Sequence, residues 1–209
     1  VEIERTWSLP EWSGASGVAG AAPIVQDDPD RFVPNDPYYG YQWHLDQIGM
    51  PEAWMRNRGA GGVVAVIDTG LAYRDDAGWN RAPDLADTTI VGGYDFVNND
   101  AEPDDEHGHG THVSGTIAQS TNNGLGVAGV APEASIMPLK VIDANGSGGW
   151  GGIAAAIRYA ADNGANVINM SLGGGMSSQA VQRAIDYAHE HGVIVIAAAG
   201  NSARGRVEY

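Results

Sequence analysis

The stretch Val63-Val64-Ala65-Val66-Ile67-Asp68-Thr69-Gly70 decides the fold class. Its apolar run has the length of a strand and ends in an aspartate followed by a turn. A run without polar alternation is typical of a parallel strand that is buried on both faces of its sheet. Comparable runs follow at 136–141, 167–170 and 193–198, and they predict further strands of the same sheet.

Helical patterns lie between the later runs. One face of each predicted helix is apolar, with Ile153, Ile157 and Ala160 in the first and Val181, Ile185 and Ala188 in the second. This spacing is that of an amphipathic helix packed on a core. The alternation of strands and helices predicts an α/β fold, in which a mostly parallel sheet is flanked by helices.

Polar residues follow several of these strands. Asp68, Ser171 and Asn201 come directly after or shortly after separate apolar runs. In open parallel sheets, ligands bind beyond the carboxyl ends of the strands. We therefore expect these residues to gather at one edge of the sheet, where His109, at a glycine-rich helix start, can face them.

Composition narrows the functional classes. The chain has 209 residues, 43% of them hydrophobic, which suits one domain with an additional arm. Its formal net charge of −15 disfavours nucleic acid and anionic membranes as partners. No apolar run approaches the roughly 20 residues of a membrane span. Cysteine is absent, so disulfides and thiol chemistry are excluded.

Four motifs resemble those of the subtilisin-like serine proteases, in the order of that family. They are Val66-Ile67-Asp68-Thr69-Gly70, the segment His109-Gly110-Thr111-His112-Val113-Ser114-Gly115-Thr116, Asn169-Met170-Ser171-Leu172-Gly173-Gly174 and Ala197-Ala198-Ala199-Gly200-Asn201. The resemblance covers residues 35–209 and implies the N-terminal portion of a subtilisin-like catalytic domain, with an incomplete sheet. It also implies a serine endopeptidase that acts on proteins or peptides.

The resemblance assigns roles to individual residues. It implies that His109 is the general base, that Asp68 orients its ring, and that Asn201 donates to the oxyanion. It further implies that two backbone segments hold the substrate as an added strand, namely Gly146, Ser147 and Gly148 on one side and Ser171, Leu172 and Gly173 on the other. Trp150 is expected to line a pocket for an apolar substrate side chain.

Two groups of oxygen ligands predict Ca²⁺ as a cofactor. The first is an acidic loop without an intervening basic residue, and it resembles the calcium loop of thermitase-like members: Asp95, Asn98, Asp100, Glu102 and Asp104. The second combines Asp84 with a loop that the resemblance assigns to a tight calcium site, through Thr121, Asn123, Leu125 and Val127. A solvated acidic loop is the alternative interpretation of each group.

The serine of the triad is expected outside these residues. The family carries it in Gly-Thr-Ser-Met-Ala, a motif that does not occur here, while Ser114 and Ser171 belong to other motifs. We therefore expect the chain alone to be inactive and the serine to come from a downstream segment or a separate C-terminal fragment. A self-made nick after Tyr209 is one hypothesis, and truncation is the other.

Residues 1–34 are predicted to form an extended arm. They are rich in proline, and Val1-Glu2-Ile3-Glu4 resembles the tail of the inhibitory prodomain that such proteases remove. The arm is thus either a propeptide remnant or a natural N-terminal extension. The resemblance implies a secreted, extracellular enzyme.

Three other interpretations compete with the serine protease. His107, His109 and His112 partly match the ligand set of a zinc hydrolase, but Thr111 stands where that set needs an aspartate. An aspartic protease needs two Asp-Thr-Gly segments, and one is present. The third alternative is a catalytically inactive binding fragment.

Overall fold

A computed structural model of the chain describes residues 6–8, 29–76, 78–174 and 177–201. The strands are β1 (Thr6–Ser8), β2 (Val63–Asp68), β3 (Tyr94–Asp95), β4 (Ser135–Lys140), β5 (Ser147–Gly149), β6 (Val167–Met170) and β7 (Ile194–Ala197). The α-helices are α1 (Trp43–Gln47), α2 (Met50–Ala53), α3 (His109–Ala118), α4 (Trp150–Asp162) and α5 (Gln179–Glu190). Short 3-10 helices span Tyr39–Tyr41 and Pro83–Leu85.

Five strands form one parallel sheet in the order β3-β4-β2-β6-β7. The four predicted strands are present, with bounds within one residue of those expected. The short strand β3 was not predicted, because two residues carry too little pattern to be recognised. The predicted α/β class is therefore confirmed, and β2 lies at the centre of the sheet.

Helices cover both faces of this sheet. Ala65 and Ile67 of β2 pack with the apolar faces of α4 and α5, whereas Val66 packs with α3 on the opposite side. All three side chains are buried, as a parallel strand covered on both faces requires. The sheet thereby holds the end of β2, and with it Asp68, in a fixed position.

The predicted helical faces are the buried ones. In α4, Ile153, Ile157 and Ala160 have no exposed surface. The helix ends before Gly164, whose φ of 84° suits the left-handed turn that follows a helix. The Ser178 hydroxyl caps α5 by accepting a hydrogen bond from the Val181 N–H, at 3.3 Å.

A smaller core lies beside the sheet, around Tyr39, Leu45 and Trp54. Phe32 packs against it, and Arg31 forms ion pairs with acidic side chains of α1 and α2. Arg31 and Phe32 thus contact the domain, although they precede the predicted boundary at 35. Across the described residues, no helix is both long and apolar enough to cross a membrane.

Candidate active site

Asp68 and His109 meet at the carboxyl edge of the sheet. Asp68 is the last residue of β2, and His109 is the first residue of α3. The Nδ1 atom of His109 lies 2.7 Å from Oδ1 of Asp68, although the residues are 41 positions apart. The Asp68 side chain is fully buried and that of His109 is 30% exposed. The imidazole is therefore anchored on its inner nitrogen and open to solvent on its outer side.

This contact determines the electrostatics of the ring. The hydrogen bond to Asp68 raises the pKa of His109 above its ordinary value, and partial burial opposes this by disfavouring the charged form. The charges of Asp68 and Asp105 act in the same direction as the hydrogen bond. The site thus favours an imidazolium, the form that a general base reaches when it has taken a proton.

A close backbone crossing brings the two segments together. A Cβ on Gly110 would lie 2.3 Å from the carbonyl oxygen of Gly70, closer than non-bonded atoms approach. Gly70 has a φ of 114°, and a Cβ there would lie 2.6 Å from the carbonyl oxygens of Pro103 and Asp104. Only glycine fits this contact, because any side chain would push α3 away from the end of β2.

Asp68 is held by more than the histidine. Its Oδ1 also accepts a hydrogen bond from the Thr69 N–H, at 2.8 Å. Its Oδ2 is buried and has no hydrogen-bond partner among the described residues. The carboxylate is thus fixed through one oxygen.

The predicted oxyanion residue and one substrate segment lie beyond neighbouring strands. Ser171 follows β6, and Asn201 lies four residues after the end of β7, where it is exposed. Met170 pairs with Ala197, so both strands end at the same edge as Asp68. The Ser171 hydroxyl accepts a hydrogen bond from the Asn169 side chain, at 2.9 Å. Among the described residues, Asn201 forms no hydrogen bond with Asp68 or His109.

The other predicted substrate segment forms β5, outside the main sheet. Its backbone pairs antiparallel with β1, with Trp7 opposite Gly148 and Ser8 opposite Ser147. Gly146 precedes β5 with a φ of 73°, which completes a turn closed on Asp143. This segment therefore has an edge that accepts an extended strand, here one from the N-terminal arm.

Trp150 lines a cavity of about 660 Å³ next to β5. Leu172, Met170 and Ile185 contribute apolar walls, together with the segment 197–199. The cavity has the size and lining of a site for an apolar group. Leu172 of the predicted substrate segment Ser171-Leu172-Gly173 belongs to this lining.

Asp84 lies against the predicted calcium loop. Its Oδ1 accepts a hydrogen bond from the Asn123 side chain at 2.9 Å, and its Oδ2 accepts one from the Val127 N–H at 3.2 Å. Gly126 permits this approach, because a Cβ there would lie 2.1 Å from Asp84 Oδ2. The predicted ligands of this group, Thr121 and Leu125 included, therefore belong to one loop around Asp84.

Sequence reasoning missed Asp36, a second carboxylate that contacts the same loop. Asp36 is 1% exposed and accepts hydrogen bonds from the N–H groups of Asn122 and Asn123. No ion pair within the described residues engages Asp36 or Asp84. Two carboxylates without a counter-charge fit a hard cation such as Ca²⁺. The only sequence signal was an aspartate in Asn35-Asp36-Pro37.

The acidic loop 95–104 is arranged differently from expectation. Arg74 forms ion pairs with Glu102 and Asp104, and the Lys140 amine lies 3.7 Å from Asp95 Oδ2. The Asp95 carboxylate also accepts hydrogen bonds from the N–H groups of Val97 and Asn98 and from the Asn98 side chain. Cations from other segments therefore balance Asp95, Glu102 and Asp104, and a Ca²⁺ site in this loop stays a prediction. Asp100 accepts a hydrogen bond from the Glu102 N–H.

The histidine cluster does not converge as a zinc site would require. The Nδ1 of His109 is engaged by Asp68, and the His107 and His109 rings are 6.4 Å apart between centroids. His112 follows His109 on α3. Within the described ranges, no group of three or more His, Asp or Glu side chains is placed to hold a metal ion.

Comparison with solved structures establishes the class of fold. A protease from Pseudoalteromonas arctica PAMC 21717 superimposes with a TM-score of 0.70 and is 36% identical. The match covers 80% of this chain and 59% of that protein. The sheet and its flanking helices are thus those of the subtilisin-like α/β fold.

Sequence comparison establishes the family. Residues 59–209 match the model of the Subtilase family. Thermitase of Thermoactinomyces vulgaris is 44% identical over 85% of this chain and 61% of its own length. A thermophilic serine proteinase of Bacillus sp. (strain AK1) is 46% identical over 82% of this chain and 41% of its own length. The chain belongs to the subtilase family, and it spans less than two thirds of the length of these relatives.

Proposed function

We propose that this chain supplies the aspartate and histidine of a serine endopeptidase that hydrolyses peptide bonds in proteins or peptides. The observation that carries the proposal is the 2.7 Å contact between Asp68 Oδ1 and His109 Nδ1 at the carboxyl edge of the sheet. Membership of a family whose relatives include a serine proteinase agrees with it. Because the motif Gly-Thr-Ser-Met-Ala does not occur in these 209 residues, the proposal places the nucleophilic serine on another segment.

In this mechanism, the outer nitrogen of His109 carries the proton transfers. With Nδ1–H donating to Asp68, the neutral ring presents Nε2 as an acceptor. Nε2 takes the serine proton while the serine oxygen bonds to the scissile carbonyl carbon. The imidazolium then gives that proton to the leaving amine as the C–N bond breaks. The acyl group is then bonded to the serine oxygen. Water attacks this acyl-enzyme, and Nε2 takes the water proton and passes it to the serine oxygen as the carboxylic acid leaves.

Asn201 is proposed to stabilise the oxyanion of the tetrahedral intermediate. A preorganised amide donor lowers such a barrier by roughly 3 kcal/mol, a magnitude known from subtilisin itself. The exposed position of Asn201 beyond β7, at the edge where Asp68 lies, supports this role. Its side chain is free to approach a substrate carbonyl.

The substrate is proposed to bind in extended form between β5 and the segment Ser171-Leu172-Gly173. The pairing of β1 with β5 supports this, because it demonstrates a backbone edge that accepts an antiparallel strand. The cavity beside Trp150 would then hold an apolar side chain of the substrate.

The arm is proposed to be a propeptide remnant. Its strand β1 lies on the edge proposed for substrate, which is where an inhibitory tail would bind. The predictions for Val1-Glu2-Ile3-Glu4 and for a nick after Tyr209 fall outside the described residues. Secretion, self-cleavage and a separate serine-bearing fragment stay predictions.

Calcium is proposed at the loop 121–127, held by Asp36 and Asp84. Oxygen atoms of Thr121, Asn123, Leu125 and Val127 would complete the coordination. The ion would tie the N-terminal segment to the loop that follows α3. A second ion in the loop 95–104 stays a prediction, and it would require Arg74 to leave Asp104.

A serine-directed fluorophosphonate tests the proposal in the complete protein. We expect one covalent adduct on a serine downstream of Asn201, together with loss of peptide hydrolysis. A His109→Gln variant should lose the labelling, whereas His112→Gln on the same helix should retain it. Hydrolysis that persists after exhaustive treatment with the reagent would contradict the proposal.

A further inference from the structure

A second aspartate, Asp105, joins the two segments that carry the proposed catalytic pair. Its Oδ1 accepts hydrogen bonds from the Thr69 hydroxyl at 2.8 Å and from the N–H groups of His107 and Gly108 at 3.0 and 2.8 Å. Its Oδ2 accepts from the N–H and the hydroxyl of Thr111, at 2.9 and 2.6 Å. One carboxylate thus contacts the residue after the catalytic aspartate and the first turn of α3.

Thr69 connects this carboxylate to the catalytic pair. The Thr69 hydroxyl donates to Asp105 and accepts a hydrogen bond from the Gly110 N–H at 2.8 Å. The Thr69 N–H donates to Asp68 Oδ1, the oxygen that also holds His109 Nδ1. A continuous set of hydrogen bonds therefore runs from Asp105 to the atom that positions the imidazole.

We propose that Asp105 is a positioning residue for the general base. It fixes the first turn of α3 against the end of β2, so that the His109 ring keeps its place on Asp68. Its negative charge also favours the imidazolium that forms during turnover. This inference rests on the proposed function, since it assumes that His109 exchanges protons with the substrate.

Charge and bonding agree with this role. Burial raises the pKa of Asp105, but hydrogen bonds from Thr111, Gly108 and Thr69 outweigh it and hold the pKa below its ordinary value. Asp68, Asp105 and the His107 ring are the titratable groups that face His109 among the described residues. The Asp105 charge acts to raise the pKa of His109, in the same direction as Asp68.

The test is Asp105→Asn in the complete protein, with Glu106→Gln as the matched control. Glu106 pairs with Lys140 and shares no hydrogen bond with the Asp105 set, so its variant removes an equal charge one residue away. Two quantities are measured: the His109 pKa from NMR titration of the ring, assigned by its loss in His109→Gln, and kcat with KM on a peptide substrate.

We expect Asp105→Asn to lower the His109 pKa by roughly 0.3 to 1 unit. We also expect kcat to fall about tenfold or more while KM changes less than about twofold, since the loss concerns the base and not substrate binding. Glu106→Gln should alter neither quantity by as much. A His109 pKa and kcat equal to those of the wild type in Asp105→Asn would overturn the proposal.

Two further outcomes keep the test decisive. If Asp105→Asn does not fold by circular dichroism, Thr111→Val replaces it, because it removes one donor to Asp105; an unchanged kcat there overturns the proposal. If His109→Gln retains full hydrolysis, the proposed function fails instead. In that case the NMR titration of His109 in Asp105→Asn still decides whether Asp105 acts on the His109 ring, because the titration does not depend on activity.

Discussion

Oδ1 of the buried Asp68 lies 2.7 Å from Nδ1 of His109, and the same oxygen accepts the Thr69 N–H at 2.8 Å. Two donors on one oxygen fix both the rotation of the carboxylate and the plane of the imidazole. The outer nitrogen of His109, Nε2, lies on the other side of the ring from this contact, and the side chain is 30% exposed.

The first prediction concerns the pH dependence of peptide hydrolysis. Because the hydrogen bond to Asp68 raises the pKa of His109, its proton is lost only above the ordinary histidine value of about 6.5. The base must be neutral to act, so kcat/KM should rise with pH through an apparent pKa above that value. Asp68→Asn should lower both this pKa and kcat. An acid limb in the wild type at or below pH 6.5 would contradict the assignment.

The second prediction concerns the role of Asn201 in stabilising the oxyanion. Asn201→Ala in the complete protein should lower kcat roughly 10²- to 10³-fold with little change in KM, as known for the corresponding residue of subtilisin. The measurement is steady-state hydrolysis of a chromogenic peptide. Asn163→Ala serves as control, since Asn163 caps the far end of α4. Equal rates for the wild type and Asn201→Ala would remove Asn201 from the mechanism.

The third prediction concerns the effect of calcium on thermal stability. Removing the ion with EDTA should lower Tm, because a ligand that binds only the folded state stabilises it, by about 2.7 kcal/mol at 100 times its Kd. Asp84→Asn should reduce the rise in Tm that added Ca²⁺ produces. Asp186→Asn, on the exposed side of α5 with a hydrogen bond to Gln182, should leave that rise intact. An Asp84→Asn protein with the full calcium response would argue against the site.

The fourth prediction concerns the close backbone contact between Gly70 and Gly110. Gly110→Ala should destabilise the fold by more than about 2 kcal/mol, because its Cβ would lie 2.3 Å from the Gly70 carbonyl oxygen. Gly152→Ala is the matched helical control. Its Cβ would meet atoms no closer than 3.9 Å, so it should stabilise the protein by up to about 1 kcal/mol. Urea unfolding measures both, and equal free energies of unfolding would contradict the close contact.

Much of the fold follows from local sequence. The run Val63–Asp68 has no polar alternation and is buried on both faces, so its pattern was sufficient to predict a central parallel strand. The faces of α4 and α5 were equally clear from spacing. The roles of Asp68 and His109 were predicted from the motifs shared with the subtilisin-like proteases, and the structure places these residues at a strand end and a helix start.

The remaining features depend on contacts distant in the sequence. Asp36 reaches the loop at Asn122 across 86 residues, and Lys140 reaches the Asp104 carbonyl across 36. Neither contact leaves a periodic signal. Arg74 changed the interpretation of the acidic loop in the same way, since the basic residue that balances its charge lies outside the loop. Charge balance is therefore harder to predict from sequence than burial.

The most direct test of the central claim compares His109→Gln with His112→Gln in the complete protein. The two residues lie three positions apart at the start of α3, and the Nδ1 atom of His109 contacts Asp68. We predict that kcat for peptide hydrolysis falls by roughly 10⁶-fold in His109→Gln, the loss known for this residue in subtilisin, and less than about twofold in His112→Gln. Similar kcat values for the wild type and His109→Gln, or equal losses in both variants, would contradict a serine protease built on Asp68 and His109.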